Sequence, residues 1–172
     1  MEIVNREEFY EIAPITSKEI DWDKEIVPVI GNIMQIEIKQ QIPDYYVGLI
    51  EWLKTKDEYS CYFKLWEGGE YSDNCNNKFI FEGLKKAFIY YLYAHLIKQQ
   101  GAILGQTGYR EYTDNYSQLV EIKKTESNYQ YYKQIADSYM VDCFQFLKSC
   151  RELTPCGVKS GKRTQFITII ES

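Results

Sequence analysis

The chain has 172 residues, of which 45% are hydrophobic and 26% are charged, a balance that predicts one globular domain and excludes a disordered or membrane-spanning chain. The net charge of -5 arises within residues 1–25, and the remainder carries equal numbers of acids and bases, so no basic face for specific nucleic-acid binding is expected. The acidic start lacks the pattern of a signal peptide, and five widely spaced cysteines without a Cys-x-x-Cys pair predict reduced thiols rather than disulfides or a zinc site.

Two helices are predicted in the first third of the chain, after an acidic lead-in. Thr16 followed by Glu19 has the form of a capping box, which indicates a helix start nearby. Apolar residues then recur at helical spacing over residues 26–41, where Pro28 should kink or restart the first turn. Pro43 opens a second predicted helix with one apolar face.

The middle of the chain changes character twice. Residues 59–81 mix short aromatic pieces with turn residues, which predicts a loop region with limited strand and a small hairpin. Residues 82–99 are so strongly apolar at helical spacing that this helix should be central, ending at Gly101. Residues 101–117 contain three glycines and a polar, tyrosine-rich run, and are expected to form an extended loop.

The longest helix is predicted over residues 126–153, before Pro155 and Gly157. A basic hinge at 159–163 then leads to residues 165–170, a β-prone segment rich in branched side chains. We therefore expect a mainly α fold of four principal helices with a minor β hairpin, divided into a helical domain, residues 1–156, and a C-terminal arm, residues 157–172. The predicted core consists of Ile30, Ile33, Leu49, Leu53, Leu84, Phe88, Tyr91, Leu92, Ala136, Met140, Cys143 and Leu147.

No motif in the chain indicates catalysis or a cofactor. Residues 157–164 are similar to a phosphate-binding loop, but the spacing is one residue short and a strand-like segment follows where a helix is required. His95 is interpreted as a packed, hydrogen-bonded histidine, and Asp137 and Asp142 as solvated carboxylates on a helix. We therefore expect a protein that is not an enzyme and that holds no metal or cofactor.

Four segments in a fixed order carry a resemblance to a known family. They are Ile26 to Gly48, a Gly-Gly-x-Tyr turn within residues 65–71, a Gly-Leu-Lys-x-Ala helix start within residues 82–94, and Thr107 to Tyr109. Over roughly residues 20–150 the chain resembles the head-to-tail connector, or adaptor, proteins of tailed bacteriophages, particularly those of the Bacteroides group, including crAss-like phages. The resemblance implies a connector-type four-helix bundle that forms a ring, commonly of twelve copies, beneath the portal vertex.

The same resemblance implies a structural protein of the virion neck, made in the cytoplasm of the bacterial host. Its expected partners are further copies of itself, the portal protein, and further neck or tail proteins, with no membrane involved. DNA would pass the channel without specific binding, which agrees with the even spread of charge after residue 25. The alternative is a prophage or host protein-interaction module that binds one partner without forming a ring.

Two segments are expected to carry the protein contacts. The loop at 101–117 should face another neck component or the DNA channel, and the arm should add a strand to a neighbouring subunit or to the portal. Pairing of the arm with short strands near residues 64–81 of its own chain is the competing interpretation. The expected contact residues are Tyr109, Arg110, Tyr112 and Tyr116 in the loop, and Lys159, Lys162, Arg163, Phe166, Ile167 and Ile169 in the arm.

Overall fold

The computed structural model describes residues 3–13, 21–73, 75–106 and 115–150. In these ranges the chain is mainly helical, with a small antiparallel hairpin, which confirms the predicted class. The helices are α1 (Arg6–Ile12), α2 (the consecutive segments Trp22–Ile26, Val27–Ile33, Met34–Ile38 and Lys39–Gln41), α3 (Pro43–Thr55), α4 (Cys61–Glu67), α5 (Leu84–Gln106) and α6 (Asn115–Ser149). The strands are β1 (Gly69–Ser72) and β2 (Lys78–Phe81).

The first helix, α1, lies in the segment that the sequence pattern assigns to an acidic lead-in. It begins with a capping box, in which the Glu8 amide donates to Asn5 Oδ1 at 2.8 Å and the Asn5 amide donates to Glu8 Oε2 at 3.0 Å. Phe9 anchors the helix in the core. The capping box predicted at residues 16–19 lies outside the described residues.

Helix α2 begins at Trp22, four residues before the predicted start. Two of its four segments are π-helical, Trp22–Ile26 and Met34–Ile38. Pro28 follows the first of them and opens regular α geometry, as expected for a residue without an amide proton. The second π segment contains Glu37, the only charged residue that is buried among the described side chains.

The region that was predicted as loop with limited strand contains a helix, α4, so this part of the prediction is wrong. The helix has only seven residues, too few for a periodic signal, and Ser60 caps it by accepting a bond from the Tyr62 amide. Its stability comes from tertiary packing, because Trp66 is buried against the rings of Trp52 and Phe88.

The predicted hairpin is confirmed as β1 and β2, which pair antiparallel with Gly69 opposite Phe81 and Ser72 opposite Lys78. Asp73 organises the turn, since its side chain accepts from the backbone amides of Cys75 and Asn77 at 2.8 and 2.9 Å. At the base of the hairpin, Gly68 and Gly83 both have positive φ, and a Cβ on Gly68 would lie 2.5 Å from the Phe81 carbonyl oxygen.

Helices α5 and α6 form the antiparallel centre of the molecule, and both are longer than predicted. Helix α5 continues through Gly101 to Gln106, and α6 begins at Asn115 and ends at Ser149. The extended loop predicted at 101–117 is therefore wrong for residues 101–106 and 115–117, while 107–114 lie outside the described residues. The extension of α5 contains Gly101 and Gly105, each of which costs a helix only about 1 kcal/mol relative to alanine.

The core lies between α2, α3, α4 and the α5/α6 pair. Every predicted core residue is buried except Ile30, which is half-buried. The aromatic residues Phe9, Trp52, Trp66 and Phe146 join that core and were not predicted. Among the described residues, no helix combines the length and the apolar character that a membrane crossing needs.

Candidate functional site

A row of tyrosines follows the contact between α5 and α6. The rings of Tyr90 and Tyr139 stack at 5.7 Å between centroids, and the rings of Tyr93 and Tyr132 meet edge to face at 4.8 Å. Tyr131 packs against Tyr132 at 5.1 Å and is itself 59% exposed. We call these five residues the tyrosine face. Rings that are held in place by neighbours and remain partly accessible are typical of protein interfaces.

Two hydroxyls of the tyrosine face, those of Tyr90 and Tyr93, are held in the neutral form by burial. Burial raises the pKa of the Tyr90 and Tyr93 phenols, so both hydroxyls keep their protons and can donate as well as accept hydrogen bonds. Lys86 lies over the Tyr139 ring at 5.3 Å from its centroid, while its ammonium pairs with Glu82. The surface therefore offers aromatic area with polar tips and little net charge.

The hairpin presents a second apolar surface. Its inner side is anchored on α6, because Phe81 stacks on Phe146 at 4.8 Å and Tyr71 meets Phe146 at 5.4 Å. On its outer side Ile80 is 73% exposed, whereas Phe79 lies on the inner side, where it stacks on Tyr71 and remains 38% exposed. This small sheet has only two strands in the described part of the chain, so each strand has one edge without a strand partner there.

A buried polar cluster joins α2 to the α5/α6 pair. The Glu37 carboxylate, 7% exposed, lies 2.7 Å from His95 Nε2 and accepts from Lys133 Nζ at 3.3 Å on both of its oxygens. Tyr129 closes the cluster, with its ring 5.5 Å from the His95 ring and beneath the ammonium of Lys98 at 4.4 Å. The interpretation of His95 as a packed, hydrogen-bonded residue is confirmed.

A second polar layer lies one helical turn away. Gln41 of α2 donates to the Tyr91 hydroxyl at 2.7 Å, and this hydroxyl donates to the Asp137 carboxylate. Burial raises the pKa of the Tyr91 phenol, and its bond to Asp137 raises it further, so the hydroxyl stays protonated. Asp137 is exposed on α6, as expected for a solvated carboxylate on a helix, and in addition it accepts a hydrogen bond from the buried Tyr91 hydroxyl.

The electrostatics of the Glu37 cluster favour a structural role over acid–base chemistry. The hydrogen bond from His95 lowers the pKa of Glu37, against the effect of burial, and Lys133 lowers it further. Burial alone would lower the pKa of Lys133, but the combined effects of the Glu37 charge and hydrogen bond, Tyr129 and Asp137 outweigh burial and raise this pKa. A general base or a nucleophilic lysine at neutral pH needs shifts in the opposite directions. Among the described residues, no group of His, Cys, Asp or Glu side chains is arranged to hold a metal.

The structure leaves most of the predicted contact residues untested. Tyr109, Arg110 and Tyr112 lie outside the described residues, as does the whole arm with its residues Lys159, Lys162, Arg163, Phe166, Ile167 and Ile169. Tyr116 is the exception. The structure places its backbone in the first turn of α6 instead of a loop, because the helix starts earlier than its apolar stripe indicates.

Sequence reasoning missed both the tyrosine face and the Glu37 cluster. The tyrosines of α5 and α6 were counted as core or left unassigned. The partner of His95, Glu37, lies 58 positions away on another helix, and Lys133, which also bonds to Glu37, lies on a third. Spacing along one helix carries no signal for such contacts. The spacing of Tyr90 and Tyr93, and of Tyr132 and Tyr139, is the one pattern that could have indicated a tyrosine stripe.

Comparison with known proteins gives one match. Residues 43–155, which run from the first residue of α3 to just beyond α6, match DUF6712, a family of unknown function. No curated protein and no solved structure matches the chain. Because the family match covers well over half of the sequence, the chain belongs to the DUF6712 family.

Proposed function

We propose that this protein is a structural component of a tailed-phage neck, where copies of the chain form an adaptor ring between the portal and the tail. In this proposal α2, α3, α5 and α6 are the four helices of a connector-type bundle. The observation that carries the proposal is the tyrosine face, because it gives the two central helices an ordered aromatic surface suited to a neighbouring subunit. The sequence resemblance to phage connector proteins is the reason for proposing a ring as the kind of assembly.

The charge distribution supports a channel that DNA can pass. Several lysines of the described residues pair with carboxylates, as in the pairs of Lys24 with Asp21, Lys86 with Glu82, and Lys133 with Glu37. Lys85 bridges two acids, Glu8 and Glu67. Paired cations release few counterions from a nucleic acid, so a ring of such subunits would hold DNA only weakly.

The direct test is the mass of the assembled protein, measured by native mass spectrometry and sedimentation over a range of concentrations. The proposal predicts a closed ring at a fixed multiple of the 20.4 kDa chain mass, formed alone or with the portal protein encoded beside it. A Tyr131→Ser/Tyr132→Ser variant should lose the ring. Tyr59→Ser is the matched control, because Tyr59 is 98% exposed and lies outside the tyrosine face.

A chain that remains monomeric with the portal present would favour the second candidate, a prophage or host interaction module that binds one protein partner. The tyrosine face is compatible with this function too, since it needs only one complementary surface. The neighbouring genes separate the two candidates independently. The neck proposal predicts portal and capsid genes beside this one, and their absence in several genomes would count against it.

A further inference from the structure

The hairpin is a two-stranded sheet, so each of its strands has one edge without a strand partner among the described residues. At its base the two chain segments lie so close together that neither Gly68 nor Gly83 has room for a Cβ, and on its inner side Phe81 packs on Phe146. A rigid two-stranded sheet keeps its outer backbone groups in strand geometry, so an added strand has little ordering cost on this side. The 73% exposure of Ile80 offers the incoming strand an apolar side chain to pack against.

The geometry points to the occupant: we propose that residues 165–170 from a second copy of this chain add a strand to the hairpin edge. The inference rests on the proposed function, since it requires copies of the chain to associate. The segment Gln-Phe-Ile-Thr-Ile-Ile has the branched and aromatic residues that favour strands. Strand addition provides main-chain hydrogen bonds for affinity and alternate side chains for specificity.

The length of the linker favours a second copy over the same chain. Helix α6 ends at Ser149, and Phe146 near that end touches the hairpin, so the linker at 151–164 starts beside its own hairpin. Pairing within the chain would leave that linker as a long connection of a kind that is uncommon in a compact domain. Fully extended, it spans about 45 Å, which exceeds the radius of gyration of about 16 Å expected for 172 residues.

Charge complementarity also favours residues 165–170 as the strand that binds the hairpin. The hinge immediately before the segment carries Lys159, Lys162 and Arg163. Of the four carboxylates within residues 67–82, Glu67 and Glu82 pair with lysines of α5, which leaves Asp73 in the turn and the exposed Glu70 on β1 against one lysine, Lys78. Electrostatic attraction between the basic hinge and the acidic side chains of the hairpin would bring the arm to the hairpin edge. This attraction would weaken at high salt.

The test uses native lysines of the full-length chain. Equal amounts of ¹⁴N- and ¹⁵N-labelled protein are mixed under dissociating conditions, allowed to assemble, and treated with a short amine-reactive cross-linker. We expect peptides that join Lys78, exposed on β2, to Lys159 or Lys162, with one partner of each isotope. Lys54, exposed on α3, serves as the control and should give no such peptide. The mass of the assembly is measured on the same sample.

Each outcome decides the inference. Mixed-isotope Lys78 peptides support it. Lys78 peptides that are all of a single isotope, with no mixed ones, show pairing within one chain and overturn it. An assembly of full mass without any Lys78 peptide also overturns it, while the ring proposal stands. A protein that stays monomeric, with no mixed peptide, overturns both.

A variant pair tests the backbone mechanism. Ile167→Pro/Thr168→Pro removes two successive amides, one of which must face the hairpin whichever way the strand lies. We expect the yield of mixed peptides to fall by at least about tenfold, a change of 1.4 kcal/mol. Ser160→Pro in the hinge is the control and should leave the yield unchanged. Equal yields for the two variants would overturn the inference, provided both melt like the parent protein.

Discussion

Replacing Glu37 with Gln tests the charged cluster that joins α2 to the centre of the molecule. The substitution keeps the volume of the side chain and replaces the charged carboxylate, which His95 and Lys133 both contact, with a neutral amide. A hydrogen bond to a charged group contributes about 1.5–3 kcal/mol, and glutamine retains part of the bonding. We therefore expect Glu37→Gln to lower the free energy of unfolding by about 2 kcal/mol, or the melting temperature by about 4–8 °C.

Urea unfolding at neutral pH, followed by tryptophan fluorescence, measures this loss directly. Glu58→Gln is the matched control, because Glu58 is exposed and its removal should change stability by less than about 0.5 kcal/mol. Adding Lys133→Met to each background completes a double-mutant cycle. The loss caused by Lys133→Met should be smaller in the Glu37→Gln background, since the carboxylate partner is already gone.

The pH dependence gives a second readout. The pKa of Glu37 is lowered in the folded protein from its ordinary value of 4.5, so its contribution is fully present above that value and is lost as pH falls through the folded pKa. The stability difference between parent and Glu37→Gln should thus be constant from about pH 6 to 7 and shrink below about pH 4.5. A difference near zero at pH 7, or one that grows on acidification, would refute an ionised Glu37 held by His95 and Lys133.

Three further predictions follow from burial and capping. Phe88→Ala should cost about 3–5 kcal/mol, because Phe88 is fully buried, whereas Val141→Ala at a 52% exposed position should cost little, as measured by thermal melting. Burial raises the pKa of the Cys143 thiol to about 12, so a thiol reagent at neutral pH should label exposed Cys75 and leave Cys143 unmodified until the protein unfolds. Asn5→Ala should destabilise α1 by about 1 kcal/mol, seen as faster amide exchange in that helix and not in α5.

The helical periodicity of the sequence determined the class of fold and most of the core. The stripes that contain Leu84, Phe88 and Met140 are buried as predicted, and the glycine and asparagine turn signals located the hairpin. These features are local, because side-chain spacing along one helix or strand sets which face becomes apolar. Helix boundaries were less well predicted. Gly101 indicated the end of a helix, but α5 continues past it to Gln106.

Only the tertiary structure decided which polar residues meet. Glu37, His95 and Lys133 come from three helices, and no spacing in the sequence connects a carboxylate in a π-helical segment with a lysine 96 residues later. The short helix α4 and the tyrosine face depend in the same way on packing between elements. Local patterns encode which side of each helix is apolar. The pairing of helices depends instead on shape and burial over the whole core, and the spacing of residues along the sequence does not contain that information.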